Sequence, residues 1–455
     1  CPDRPSHLIQ YRKRVTEMNS GKRRTIYLAI IALSLTNVSV MMIGEYSRLM
    51  LFWPVLLVAI LSNLGYNPQY RFPPYSLIFL LSTISMVVSF LANRANSEIS
   101  TAVFSLTWVI YWGWIISIRW LITAHQLRRT LEWIILIYFA FILASFLLTV
   151  LNVYELPLPE FMGRTEGAGG FLPRFYGPTT EPSYAALILG AAWLGICRIA
   201  AGEDGTTKTR RRIVLAALFM SLLALQSIYG LLVALLVVST MLGGFTTRVQ
   251  RIGFLALGLL ALPFLPAFVP PDTRLGLIIA QIPSMSLYNL QTTDNSAFMR
   301  IGPFYEMISN NPIMSMPFWL GHGAGVSEFY FGNIFGYTAG GTITSLNLGF
   351  LPSFIYDFGL VSSILVVTYL MLICKGRFSF QARTLVLIAL FNCNFNTHLF
   401  WFIASCFFLS APLIAPRMRQ LARYAPVYQG RAQPVTAHVG QGFGHSSRPA
   451  PQFSA

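Results

Sequence analysis

Charge is what this sequence has little of. Asp, Glu, Lys and Arg together make up 11% of 455 residues, less than half of the roughly 25% usual in soluble domains. So few charges cannot keep a surface of that size in water, which excludes an ordinary soluble fold. Acids are the scarcer sign, with 16 Asp and Glu against 32 Lys and Arg. Cysteine is rare too. The five cysteines (Cys1, Cys197, Cys374, Cys393 and Cys406) form no CxxC pair, so neither a disulfide framework nor a zinc site is supported. The last four lie in or beside apolar runs, where packing is the expected role, and no metal or cofactor is expected. In place of charge the chain has 55% hydrophobic and 14% aromatic residues, with a mean hydropathy of +0.60. This is the composition of an integral membrane protein built from helices.

A net charge of +16 invites a nucleic-acid reading. The Lys and Arg residues, however, sit in short clusters between apolar runs and not along one basic face, so membrane topology explains them better and no nucleic acid is expected as a partner. Apolar stretches long enough for a span, about 17 to 25 residues, lie near 25–43, 49–64, 75–92, 99–121, 131–151, 183–201, 213–228, 230–246, 252–269, 354–374, 383–395 and 397–415. The expected fold is therefore an all-α polytopic membrane protein of about twelve transmembrane helices. Basic clusters at Arg12 to Arg24, Arg119 to Arg129, Lys208 to Arg212, Arg248 to Arg251, Lys375 to Arg383 and from Arg417 onward all fall on one side of that arrangement. The positive-inside rule makes that side cytoplasmic, with both termini there and the long loops 152–181 and 270–350 on the outer face.

Residues 1–24 then form a basic cytoplasmic N-terminus, 25–415 the membrane domain, and 416–455 a tail rich in Gly, Gln, Pro, Ser and Arg that is expected to be disordered. No cleavable signal peptide is expected, because the basic N-terminal segment leads into a full-length span. Cys1 in place of Met is read as an artefact of where the chain starts.

The first outer loop ends in RFYGPTTEPSYAALILGAAWLG, residues 174–195. Thr180 or Glu181 suits an N-cap, Pro182 the first helical position and Ser183 the first turn. Glu181 thus belongs at the outer mouth of the sixth span. It either complements the helix dipole, an effect of about 0.3–1 kcal/mol, or serves chemistry together with Arg174. The second outer loop carries Arg300 in RIGPFYEMISNNP and His322 in the turn Gly321-His322-Gly323-Ala324-Gly325. Arginine presents a planar fork of donors that binds phosphate oxygens in pairs and stays charged at any relevant pH. Two arginines from separate loops can clamp a diphosphate. The glycines allow close backbone approach to a ligand, although a lone loop histidine is as often a surface residue.

Within the apolar segments Tyr229, Asp357 and the run Asn392, Asn394, Asn396, Thr397 and His398 need a reason. Asp357 lies about one membrane thickness before Lys375, near the outer surface, where helix capping competes with ligand binding. The Asn-rich run is expected to satisfy the backbone of a tight hairpin ahead of its alternative, direct substrate contact, with His398 keeping a claim as proton acceptor. Trp319, Phe329, Tyr330, Phe331 and Tyr337 suit an interfacial aromatic belt better than sugar stacking.

An outer loop with Arg174 and Gly177, followed by Glu181-Pro182-Ser183 and Ala186 opening a span, resembles the bacterial O-antigen polymerase and ligase superfamily. So do Arg300 with its following Asn-Pro, the Gly-x-Gly turn at His322, and the exit LNLGFLPSFIYDFGLVSSILVV through Asn347, Asp357 and Gly359. The resemblance runs from about the fifth span onward. It implies transfer of a glycan from an undecaprenyl-diphosphate-linked oligosaccharide on the periplasmic side of the bacterial inner membrane. For that chemistry Arg174, Glu181, Arg300 and His322 are the expected catalytic residues, and Gly177, Ser183, Gly323, Asn347, Asp357 and His398 the expected substrate-binding ones. A chain-length regulator and a flippase are implied partners beside membrane lipid.

The ligase pattern H-x-[NSQ]-x9-G-x-x-[GTY], set on Gly359, puts Asn347 at its histidine, Gly349 at its polar position and Ser362 at its last. Three departures favour a polymerase over a ligase. In a polymerase the arginines stabilise the leaving diphosphate, and Glu181 first, His322 second, are the candidate bases for an acceptor hydroxyl. A lipid-linked-oligosaccharide flippase is the competing class. It predicts charges along a central membrane path and repeated halves, whereas here the charges sit in outer loops and the halves look unrelated.

Overall fold

A computed structural model describes residues 24–36, 38–43, 47–63, 76–97, 99, 109–116, 119, 122–151, 175, 177–179, 181–199, 208–243, 247, 249–250, 253, 295–310, 312, 315–335, 349–392 and 398–411. All of them belong to one compact unit that ends at Ala411. Arg174, Asn347, the expected span 252–269 apart from Gly253, and the tail lie outside the described residues.

Helices dominate. α1 (Arg24–Ser34) leads into a hairpin of β1 (Ser39–Ile43) and β2 (Ser47–Met50), paired antiparallel. Then come α2 (Phe52–Asn63), α3 (Ser76–Ala92), α4 (Ala124–Val150), α5 (Pro182–Ile199), α6 (Lys208–Ala224) and α7 (Ile228–Met241). They are followed by α8 (Asn295–Asn310), α9 (Met316–Leu320), α10 (Val326–Phe335), α11 (Phe350–Ile373), α12 (Ser379–Asn392) and α13 (His398–Ser410). The hairpin corrects the expected first span, which ran to residue 43. Val38, Val40 and Ile43 are β-branched, and their crowded χ1 favours extended backbone over a further helical turn.

α5 is the axis. Small residues (Ala185, Ala186, Gly190, Ala191, Ala192 and Gly195) let its neighbours approach on every side, and nearly the whole helix is buried. A Cβ added at Gly190 would lie 2.8 Å from Val233 of α7 and 3.2 Å from Leu385 of α12, and one at Gly195 would lie 2.7 Å from Leu131 of α4. Large aromatics, among them Trp193, Trp401, Phe400 and Phe402, fill the core around it. The outer helices instead expose Leu57, Leu61, Leu77, Leu80, Leu91, Leu147, Leu223 and Ile364. Such a band of bare apolar side chains is stable against lipid and costly in water.

Segments 124–148, 182–199 and 350–373 are long and apolar enough to cross a membrane, and five shorter apolar helices accompany them. The chain is thus a helical, membrane-associated protein. Its bundle has two unlike ends. At one, Arg198 near the end of α5 donates to the carbonyls of Ile373 (3.1 Å), Cys374 (2.8 Å) and Lys375 (2.9 Å), which close α11. At that same end Glu132 accepts from Arg128 (3.2 Å) and Arg210 (2.6 Å), and Arg119 donates to Ala411. The basic clusters at 119–129, 208–212 and 375–383 therefore gather there. The starts of α5 and α11 lie at the other end, and the expected loop 270–350 contributes helices α8 to α10 to that half of the protein.

Candidate functional site

The site begins at the first turn of α5. Glu181 stands just before Pro182, whose missing N–H has no partner to lose at a helix start. The Glu181 carbonyl accepts from the N–H groups of Tyr184 (3.1 Å) and Ala185 (3.3 Å), so the helix starts where the sequence places it. Upstream, Gly177 has φ +64°, and a Cβ there would press on Tyr138 at 3.4 Å. Phe175, the residue after Arg174, is buried and its N–H points to the Ala224 carbonyl at 3.5 Å.

The Glu181 carboxylate meets a hydroxyl and a guanidinium. Its Oε2 accepts from the Ser183 hydroxyl at 3.0 Å and from Nη2 of Arg300 at 2.7 Å. Arg300 comes from α8, 119 residues further along the chain, and its guanidinium carbon lies 5.3 Å from the centroid of the Tyr229 ring. The ring face and the carboxylate fix the cation from two sides. The Arg300 side chain is 8% exposed and that of Glu181 22%. Among the described residues Nη2 is the one Arg300 nitrogen with a hydrogen-bond acceptor, so this well-buried fork still has donors to offer. Glu181, Ser183 and Arg300 are thus one cluster, with Tyr229 as the member to which the sequence assigned no role.

His322, Gly323 and Asp357 form a second cluster. The His322 ring stacks on Tyr356 (4.2 Å between centroids, 14°), and Tyr356 stacks on Tyr330 (4.7 Å, 19°). The N–H groups of His322 and Gly323 donate to the carbonyls of Tyr356 (2.8 Å) and Asp357 (3.1 Å). Those carbonyls are approachable because α11 kinks at Gly359, with φ 81° and ψ 169°. A Cβ at Gly321 would collide with the Asp357 carbonyl oxygen, and one at Gly359 with that of Trp319. The glycines of the His322 turn were expected to admit a ligand. At Gly321 the close approach is to the α11 backbone.

Asp357 is buried, and its Oδ1 accepts from the Ser327 N–H at 2.8 Å in the first turn of α10. This is the capping role open to it from the sequence. Burial lowers the His322 imidazole below its ordinary value of 6.5, which favours the neutral ring at pH 7. Phe298 and Met307 of α8 pack with Phe331 and Tyr356, so the helix that carries Arg300 rests on this second cluster.

The His398 side chain and Asn347 lie outside what the structure describes. The stacking partner Tyr356 escaped the sequence reading because nothing local marks it. Glu132 escaped although a lone acid four residues after Arg128 on an apolar helix was a usable sign. No family model matches the chain, and no curated protein does.

Proposed function

We propose that the protein polymerises undecaprenyl-diphosphate-linked oligosaccharide repeat units on the periplasmic side of the bacterial inner membrane, as a multi-pass, inverting glycosyltransferase. The single observation that carries this reading is the Glu181–Arg300 pair. A buried guanidinium with spare donors is paired at 2.7 Å with a carboxylate at a helix start. An incoming diphosphate matches the fork of Arg300 better than one carboxylate oxygen does and displaces it. Arg174 is assigned the second cation of the clamp.

Displacement frees Glu181 to take the proton of an acceptor hydroxyl while Ser183 keeps the carboxylate in place. The acceptor oxygen bonds to the anomeric carbon, the bond from that carbon to the diphosphate breaks, and the charge of the leaving lipid diphosphate falls on the arginines. His322, held neutral beside Tyr356, is the second candidate base. The ligase alternative keeps the same clamp but transfers finished polymer. The positions that would have to serve it, Gly349 and Ser362, hold a helix N-cap without a side chain and a hydroxyl bonded to Ser85 at 2.7 Å.

The test is a gel profile of lipid-linked glycan from cells lacking the gene, with wild-type or Arg300→Ala chains restored separately. Single repeat units accumulating outside the cytoplasm in the null and Arg300→Ala cells are the expected result. Units retained inside would mark a flippase, and long untransferred lipid-linked polymer a ligase.

A further inference from the structure

Asn392 closes α12 with a side chain that the fold itself leaves unused. It is 1% exposed, and among the described residues neither its Nδ2 nor its Oδ1 has a hydrogen-bond partner. Buried amides are nearly always satisfied, and an exception calls for a missing partner. Replacing such a group by an apolar one of similar size is free of penalty when nothing binds it.

Its place in the fold sets it at the level of the Glu181–Arg300 cluster. α12 runs antiparallel to α5, since it follows the turn after α11 at the Arg198 end and its Phe391 carbonyl meets Gly349 at the start of α11. Leu385 and Gly190 are in register, because a Cβ at Gly190 would lie 3.2 Å from the Leu385 side chain. Seven residues on from Leu385 is Asn392, and seven back from Gly190 is Ser183. Equal rises of about 10 Å put the two at one level. α8 joins them there. Phe304, one turn after Arg300 on the same helix, meets Phe391 edge to face at 5.9 Å.

We propose that Asn392 is a substrate-binding residue whose carboxamide takes hydroxyls of the sugar next to the diphosphate held by Arg300. The sugar as ligand rests on the polymerase reading above. An amide offers both two N–H donors and a carbonyl acceptor, which matches neighbouring sugar hydroxyls that donate and accept at once. Phosphate, which only accepts, leaves the carbonyl unsatisfied.

The test is Asn392→Leu in the full chain, read as polymer in cells lacking the gene and as the melting midpoint of the purified protein in detergent. The expected result is a midpoint held or raised with polymer reduced at least ~5-fold, the factor that one lost hydrogen bond of usual strength gives. Asn392→Ala removes the same donors and acceptor without requiring room for a branched side chain, and decides the matter if the Leu variant does not fold. Wild-type polymer in these variants overturns the proposal. So does a fall of midpoint and polymer together in both, which makes the amide a structural one. Arg300→Ala, run beside them, reports on the proposed function separately: full polymer there overturns the clamp whichever way Asn392 behaves.

Discussion

Arg300 brings a permanent charge into a nearly dry site, and Glu181 is the group that makes this tolerable. Removing one member of a buried pair strands the other, at about 3 kcal/mol, the low end of the usual range because Glu181 keeps some contact with water. Glu181→Gln is therefore expected to lower the melting midpoint by more than the double variant Glu181→Gln/Arg300→Gln does, and a double-mutant cycle in which the two losses simply add would show that the pair is uncoupled. Arg300→Lys is expected to be nearly as inactive as Arg300→Ala in the polymer profile, since a point charge cannot replace the planar fork. His322 supplies a pH signature. Burial sets its pKa in the fold below the ordinary 6.5, so the unfolded chain binds the proton first and stability falls as pH drops through 6.5 toward the folded value. Above 6.5 that contribution is whole. His322→Phe keeps a ring for Tyr356 but has no proton to bind, and its midpoint is expected to be flatter over this acid limb, while a slope equal to wild type would assign the titration elsewhere.

At the scale of elements, the decisive contact is the docking of the α9–α10 turn on the α11 kink. Gly359 needs a positive φ, and any Cβ there strikes the Trp319 carbonyl oxygen. Gly359→Ala is expected to cost more than about 3 kcal/mol through strain and backbone displacement together, read as a loss of folded protein in detergent, and an unchanged midpoint would mean that the turn does not dock. Legibility in the sequence followed the same scale. The start of α5 could be read because Glu181-Pro182-Ser183 is a local signal whose meaning needs no tertiary partner. The glycine turn was visible too, but what it approaches lies some 35 residues away in α11, and only the fold supplies it. Glu181 and Arg300 were both legible as functional candidates, though in separate roles, because no local pattern ties residues 119 apart. The end of the first span was misjudged for the opposite reason: apolar content alone cannot separate helix from strand, and the β-branched residues after Thr36 decided it.

Across the whole molecule the two ends of the bundle divide the chemistry. Buried arginines close helix ends at one, where Arg198 alone gathers the final carbonyls of α11 and the cation suits the negative end of the helix dipole. Arg300 and Glu181 occupy the other, at the positive end of α5. Exposed leucines on the outer helices occupy the surface between, and a bilayer around that surface would separate the two ends. Under the proposed function the positive-inside rule is expected to set the Arg198 end in the cytoplasm and the Glu181 end outside it, as periplasmic polymerisation requires. Reporter fusions test this without reference to activity. A reporter after Gly205, between α5 and α6, is expected to read cytoplasmic, and one after Tyr337, beyond α10, periplasmic. The reverse pair of signals would put the Arg300 site on the cytoplasmic face and would overturn the proposed periplasmic polymerisation.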